Sequence, residues 1–226
     1  MPSARPPAPL TGAKKKKLTF TFDNGPEPGV TPAVLDCLAR HNVKTTFFVM
    51  GRKAVTSEGS ALVRREIEEG HWIGNHTFTH STPLGRMDRA AALDEFERAE
   101  NALAWIQQPH KLFRPPGKGQ LGKHLLQPAV IEKLEAGGYS CVLWNSVPGD
   151  WRDPDGWLDR ALADFESRDW TLIVLHDIPS GAMGHLDDFI VRLERAGVEF
   201  TQDFPPDCVP ILDGKVVLPL EPYVNG

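Results

Sequence analysis

The chain has 226 residues, enough to bury one substantial hydrophobic core and too few to require a second domain. Its hydrophobic fraction of 41% and charged fraction of 24% are those of an ordinary globular protein. A net charge of −5 gives no overall basic field that would attract nucleic acid, and no stretch approaches the roughly 18 apolar residues of a membrane span. We therefore expect neither a nucleic-acid partner nor a membrane span.

The cysteine count and the start of the chain favour a cytoplasmic protein. There are three cysteines, Cys37, Cys141 and Cys208, and an odd number in no paired spacing argues against a disulfide-stapled secreted scaffold. The first residues, MPSARPPAPLTGA, have prolines where a signal peptide would have its apolar core. Residues 1–16 are expected to form a Pro/Lys-rich tail.

After this tail, predicted strands and helices alternate along the chain. In residues 17–22 (KLTFTF), β-branched and aromatic residues alternate as in a strand, and the turn NGP follows. Residues 31–42 are predicted to form a helix with a Thr cap and an early proline. A buried strand follows at 44–50. Further helix and strand pairs are predicted at 57–70 and 71–76, 87–106 and 111–114, 128–138 and 140–144, 154–168 and 171–176, and 186–197 and 198–202.

This alternation indicates βα units with parallel strands, and closure into a (β/α) barrel of about six to seven strands is the natural arrangement. The residues ILDGKVVLPL near the C-terminus resemble a small hairpin around Asp213-Gly214. In such barrels the working residues lie where strands run into their following loops. Polar residues that meet this condition are Asp23, His76, Arg114, Asp150 and His176.

The segments that contain these residues permit more than one interpretation when each is taken alone. His76 and His80 in HTFTH are four apart, which on a helical turn would place both rings near one ion, or would serve capping. Asp23 and Asn24 could form only an Asx-type turn before Gly25-Pro26. Arg114 could make a surface ion pair, and a His at the end of a buried strand, such as His176, is often structural.

In chain order, the segments TFDNGP, HTFTH, FRPPG, GDW and LHD together resemble the five motifs of the polysaccharide deacetylases, the NodB-homology proteins of carbohydrate esterase family 4. The resemblance runs from about residue 19 to residue 177. It implies a distorted (β/α) barrel at residues 17–204, followed by a C-terminal extension at 205–226. It also implies an enzyme that hydrolyses an N-acyl group, usually acetyl, from an amino sugar.

The resemblance further implies a metal-dependent mechanism. Asn24, His76 and His80 would bind a divalent ion, typically zinc, with a position left open for water. Asp23 would be the general base that takes a proton from this water as it attacks the amide carbonyl, and His176 would protonate the departing amine.

Other residues are expected to support this chemistry. Arg114 would favour the ionised form of Asp23, and Asp150 would orient His176. The backbone N–H of Gly117 would hold the developing oxyanion together with the ion. Trp151 and Leu175 would line the acyl pocket.

Three positions depart from the family pattern. Asn24 stands where the family has a second Asp, so the only anionic ligand becomes a neutral amide and the ion should bind more weakly. An ion with neutral ligands would, however, acidify its water more strongly. Gly117 stands where an aromatic residue is frequent, and Val147 where an acidic one is expected.

These departures leave alternatives open. A cytoplasmic location favours a small or lipid-linked N-acylated sugar over a cell-wall polymer. A deformylase, or a hydrolase of a non-sugar amide, would use the same fold. A weakly active or inactive homologue that only binds a glycan is favoured by Asn24, whereas Asp23 together with His176 favours the enzyme.

Overall fold

The structure is a computed structural model, and it describes residues 15–225. A curved sheet lies at its centre, in the spatial order β6-β1-β2-β3-β4-β5-β8-β9, with β7 also paired to β1. The strands are β1 (Lys17–Asp23), β2 (Thr46–Val49), β3 (Trp72–Asn75), β4 (Leu112–Phe113), β5 (Ser140–Cys141), β6 (Trp170–His176), β7 (Glu199–Phe200), β8 (Ile211–Leu212) and β9 (Lys215–Val216). Strands β1 to β7 pair in parallel, which confirms the predicted distorted (β/α) barrel.

Helices follow the strands and cover the outside of the sheet. They are α1 (Thr31–Arg40), α2 (Gly51–Ala54), α3 (Ser57–Glu68), α4 (Arg89–Leu103), α5 (Pro128–Gly137), α6 (Trp157–Glu166) and α7 (Leu186–Arg195). All the predicted helices are present, and the short α2 is an addition. Within the described part of the chain, none of these helices combines the length and the apolar character that a membrane crossing requires.

The start of α1 differs from the expected cap. The helix begins at Thr31 itself, and Val30 stands at the N-cap without a side-chain hydrogen bond. The Thr31 hydroxyl instead accepts a hydrogen bond from the N–H of Glu27 (2.7 Å) and donates one to the buried carboxyl of Asp177. The threonine therefore ties α1 to the residue that follows β6.

Alternation along β1 sends its large apolar side chains to the face of the sheet that packs against the helices. Leu18, Phe20 and Phe22 are almost completely buried in the core between sheet and helices, where Phe20 meets Phe189 of α7 edge to face at 5.8 Å. Burying each such side chain contributes about 1.5–3 kcal/mol. The intervening residues, which include Asp23, point to the other face of the sheet.

The barrel closes through a loop and not through regular strand pairing. After β5, Asn145 places its side-chain amide against β6, accepting from the N–H of Leu172 (2.8 Å) and donating to the carbonyl of Trp170 (3.1 Å). Ser146 then forms a single parallel bridge to Ile173. This irregular seam is the distortion of the barrel.

The two ends of the chain extend this body. Strands β8 and β9 form an antiparallel hairpin through Asp213 and Gly214, which both have positive φ angles (48° and 76°), and β8 pairs with β5. Residues 1–14 of the predicted tail lie outside the described residues. Lys16 donates from Nζ to the carbonyls of Phe165 (3.3 Å) and Arg168 (3.1 Å) at the end of α6.

Candidate active site

A cavity of about 310 Å³ opens at the carboxyl ends of the parallel strands. It is lined by Asp23, Asn24, His76, His80, Gly117, Lys118, Gly119, Trp144, Val147, Trp151, Val174, His176 and Ile178. Arg114 and Asp150 are fully buried behind this lining. The structure therefore brings together the residues that were predicted at separate strand ends, with Leu175 as the exception.

Asp23 ends β1 and is bound to Arg114. Its Oδ1 accepts a hydrogen bond from Nη1 of Arg114 at 2.9 Å, and its Oδ2 lies 3.5 Å from Nε2 of His76. Burial would raise the pKa of Asp23, but the charge and hydrogen bond of Arg114 are the main opposing effects, and the pKa lies below its ordinary value. Asp23 is therefore an ionised carboxylate, and its Oδ2, which Arg114 does not bind, lies toward His76.

Hydrogen bonds and packing on several sides hold the Arg114 side chain in place. Besides Asp23, its guanidinium donates to Oγ1 of Thr21 (2.7 Å) and to the carbonyls of Val142 (3.0 Å) and Leu143 (3.1 Å), and it lies 4.0 Å above the ring of Phe48. A buried guanidinium with this many acceptors cannot move toward a substrate. Its effect on chemistry is to fix the position and charge of Asp23.

Asn24 has a positive φ of 73°, which asparagine tolerates better than most residues. Its backbone N–H donates to the carbonyl of Phe48 at 3.2 Å, continuing the pairing of β1 with β2. Its Oδ1 is buried and has no hydrogen-bond partner within residues 15–225. Since buried acceptors are nearly always satisfied, an unpaired oxygen facing this cavity is suited to bind a cation.

The four-residue spacing of His76 and His80 had suggested a helical turn. Both residues lie instead in a loop after β3. Thr77 and His80 have positive φ angles (63° and 57°), and a side-chain hydrogen bond from the N–H of Thr77 to Oδ1 of Asn75 (2.8 Å) stabilises the turn. The two rings still meet, with centroids 4.7 Å apart. The loop therefore achieves the proximity that a helix would have given.

The histidines have the protonation that ligands need. Nδ1 of His76 donates to the carbonyl of Arg114 at 2.8 Å, which leaves Nε2 unprotonated on the side of the cavity. Burial lowers the pKa of His76, and burial together with the charge of His76 lowers the pKa of His80 to about 3. Both imidazoles are neutral near pH 7.

His176 ends β6 beside Asp23 and is bound to Asp150. Oδ1 of Asp150 lies 2.9 Å from Nδ1 of the ring, and Oδ2 accepts the backbone N–H of His176 at 2.8 Å. Burial alone would lower the pKa of His176, but the hydrogen bond and charge of Asp150 raise it above its ordinary value. With Nδ1 engaged, Nε2 is the atom left to transfer a proton.

The walls of the cavity differ in part from expectation. Trp151 is present, with its ring centroid 4.7 Å from that of His176. Leu175, expected in the acyl pocket, lies instead in the core between sheet and helices, and Val174 lines the cavity. Successive residues of a strand face opposite sides, so a His176 that faces inward requires Val174 inward and Leu175 outward.

Gly117 is needed for a reason that the sequence did not reveal. A Cβ atom at this position would collide with the ring of Trp144, which fills the space beside the RPPG loop. An aromatic residue, frequent in the family at position 117, is absent here, and Trp144 lines the cavity beside Gly117. Lys118, with a φ of 50°, also lines the cavity and was not anticipated.

The residues present fit a bound divalent ion. An amide oxygen without a partner and two neutral imidazoles converge on one cavity, and oxygen and imidazole donors of this kind suit zinc and similar ions. Asp23 adds negative charge nearby. The set has fewer anionic donors than a site with two aspartates at positions 23 and 24.

Taken with the barrel, this site defines a class: a hydrolase with a carboxylate and a histidine beside a candidate cation site in one cavity. The family model described as polysaccharide deacetylase matches residues 11–133. The chain belongs to the polysaccharide deacetylase family. This family consists of hydrolases that act on carbon–nitrogen bonds other than peptide bonds.

Individual relatives agree with this assignment. A peptidoglycan-N-acetylglucosamine deacetylase of Bacillus cereus is 32% identical over 82% of this chain and 85% of its own length. One from Listeria monocytogenes is also 32% identical over 82% of this chain, which spans only 37% of that protein. A solved structure of a peptidoglycan N-acetylglucosamine deacetylase superposes with a TM-score of 0.71 at 26% identity, covering 87% of this chain and 89% of the other.

Proposed function

We propose that this protein is a metal-dependent hydrolase that removes the N-acetyl group from an amino-sugar substrate. The observation that carries the proposal is the pair of oppositely tuned groups at one cavity. Arg114 is bound to Asp23 and helps to hold its pKa below the ordinary value, whereas the hydrogen bond and charge of Asp150 raise the pKa of His176 above its ordinary value despite its burial. Carboxylate and imidazole pKa values that are moved apart in this way mark a base and an acid.

Asn24, His76 and His80 would hold the ion, in this proposal. A bound divalent ion supplies Lewis acidity, which acidifies water and polarises the acyl carbonyl. The fit of the amide oxygen and the neutral rings supports zinc, although the same donors accept other first-row metals. The identity of the ion is left to titration.

The residues of the chain then divide the proton transfers. Asp23 takes a proton from the attacking water through the oxygen that Arg114 does not bind. The N–H of Gly117, on the cavity wall, donates to the oxygen that becomes negative as the acyl carbon turns tetrahedral. His176 gives its Nε2 proton to the nitrogen as the carbon–nitrogen bond breaks, so one amide and one water yield acetate and a free amine.

The relatives named above, which are peptidoglycan deacetylases, support an N-acetylated sugar as the substrate. The cavity volume of about 310 Å³ is suited to an acetamido group and part of a sugar ring. Trp144 and Trp151 provide flat apolar walls near the reacting groups.

Acetate release from N-acetylglucosamine oligomers, measured after chelation and zinc replacement, tests this function. We expect zinc-dependent acetate in the wild type. Asp23→Asn should lower kcat by about 10²–10⁴-fold, because it removes the base, while zinc binding is retained. Turnover in the metal-free protein, or full turnover in Asp23→Asn, would contradict the mechanism.

Asn24 favours a second candidate function, in which the protein binds a glycan without hydrolysing it. Its neutral amide lowers the expected affinity for the ion. Binding of the oligomer by calorimetry, with no acetate released at saturating zinc, would support this second function over the first.

A further inference from the structure

A second group of metal-ligating side chains lies on the outer surface, where α1 meets α7. Cys37 lies on α1, His41 follows four residues later as the C-cap of that helix, and Asp187 lies in the first turn of α7. Within residues 15–225, this is the one group of three His, Cys, Asp or Glu residues whose ligand atoms all lie within 4.8 Å of one another. None of the three lines the candidate active site.

A fourth residue, Glu194, orients the histidine. Its Oε1 lies 3.0 Å from Nδ1 of His41, so that Nε2 is directed to Oδ1 of Asp187 at 3.1 Å. Sγ of Cys37 lies 3.8 Å from the same Asp187 oxygen. Metal-binding histidines commonly have a carboxylate on the second ring nitrogen in this way, because it fixes the tautomer and the direction of the free nitrogen.

We propose that Cys37, His41 and Asp187 form a second divalent-cation site, separate from the active site and selective for thiophilic ions such as Zn²⁺. One thiolate, one imidazole and one carboxylate are zinc ligands, and the exposed side of the cluster leaves room for water as the fourth. The thiolate favours zinc, cobalt or cadmium over magnesium or calcium.

Protons and the guanidinium of Arg40 compete with an ion for these ligands. Burial would lower the pKa of His41, but its hydrogen bonds to Asp187 and Glu194 raise it, and burial raises the pKa of the Cys37 thiol to about 11. Binding therefore releases the proton of the thiol and requires His41 in its neutral form. It also displaces Nη2 of Arg40, 2.7 Å from Asp187, whose side chain is 58% exposed and can turn to solvent.

The site joins two helices that are far apart in sequence, and each of them follows a strand that ends in a residue of the candidate active site. Helix α1 follows the strand that ends in Asp23, and α7 follows the strand that ends in His176. An ion held by both helices would stabilise the folded protein in proportion to its occupancy. The expected effect is on thermal stability and on metal stoichiometry, with two ions bound per chain.

Cobalt titration tests this site with a signal that the active site cannot produce. Cobalt bound to a thiolate gives a near-ultraviolet charge-transfer absorption, whereas Asn24, His76 and His80 contain no sulfur. When cobalt is added to the metal-free proteins, we expect the wild type and His80→Ala to show this absorption. Cys37→Ser should not show it. Cys208→Ser is the matched control, because Cys208 is a buried thiol outside the cluster, and it should retain the signal.

Two surface variants guard against effects of misfolding. Asp187→Asn should weaken cobalt binding by about tenfold or more, and Glu194→Gln should do so by a similar factor through His41. The neighbouring Asp188→Asn, which removes only a partner of Arg192, should have no effect. No absorption in the wild type, absorption that survives Cys37→Ser, or unchanged affinity in Asp187→Asn would each overturn the proposal. Because none of these readouts uses turnover, they are independent of the proposed deacetylation.

Discussion

At the scale of single residues, Asn24 decides how strongly the active site would hold an ion. The buried Oδ1 has no hydrogen-bond partner among the described residues, and Asn24 lines the same cavity as two neutral imidazoles. We expect Asn24→Asp to tighten zinc binding by at least about tenfold, or ~1.4 kcal/mol, because a carboxylate replaces a neutral oxygen. Calorimetric titration of the chelated proteins measures this, and equal affinities would mean that residue 24 is not a ligand.

Asp150 controls the proton on His176, and its removal should be visible in a pH profile. In the wild type, Asp150 raises the pKa of His176, so the imidazolium acid persists to higher pH. Asp150→Asn removes this charge, and we expect the alkaline limb of the kcat profile to move to lower pH, with kcat near neutrality reduced on the order of 10²-fold. Asp153→Asn, in the same loop but exposed and paired with Arg160, is the control. An alkaline limb at the same pH in Asp150→Asn would contradict the assignment of His176 as the acid.

Residue identities were more predictable than residue directions. The carboxyl ends of parallel strands share one edge, and this rule alone placed Asp23, His76 and His176 together. Leu175 was misplaced because the alternation of side chains along β6 had not been applied. Trp144 was missed because its role depends on the missing side chain of Gly117, a contact between loops that no local pattern encodes.

At the scale of elements, the loop after β3 depends on a carboxylate from α4. Glu95 is almost buried and accepts from the N–H (2.8 Å) and the hydroxyl (2.6 Å) of Thr79, next to His80. The amide of Glu95→Gln offers one acceptor oxygen in place of two, so a donor in the loop is left unpaired. We expect a loss of about 1–3 kcal/mol in stability and about 10–100-fold in zinc affinity.

Glu97→Gln is the matched control for this loop, since Glu97 lies on the same helix but is only half-buried and pairs with Lys133. Thermal unfolding and zinc titration of both variants provide the comparison. If Glu95→Gln lost stability and retained full zinc affinity, Glu95 would stabilise α4 without positioning the histidine loop.

The elements themselves were predictable where their hydrophobic periodicity was strong. The strands and long helices have regular apolar spacing, and the structure contains all of them. The conformation of the histidine loop was not predictable, because the four-residue spacing that would suit a helical turn does not encode the positive φ angles of Thr77 and His80. Closure through Asn145 was equally hidden, since it depends on side-chain hydrogen bonds to a strand distant in sequence.

At the scale of the whole molecule, the barrel buries the carboxyl of Asp177, the residue that follows His176. Asp177 is completely buried, it accepts a hydrogen bond from Thr31 at the start of α1, and its Oδ1 has no partner among the described residues. Its carboxyl approaches Gly25 so closely that a Cβ at position 25 would collide with it. The Asp177 carboxyl, which follows β6, therefore contacts both α1 and the loop after β1 in the interior of the protein.

This burial should make global stability depend on pH in an unusual direction. Burial raises the pKa of Asp177 to about 7 from an ordinary 3.8, so the folded state holds a proton that the unfolded chain has released. The stabilisation is complete below pH 4 and is lost as the pH rises through 7, amounting to at most about 4 kcal/mol. We expect urea unfolding in chelator to show Asp177→Asn gaining stability relative to wild type between pH 5 and pH 8. The exposed Asp159→Asn should follow the wild type, and parallel curves for Asp177→Asn and wild type would show that Asp177 is ionised in the folded protein.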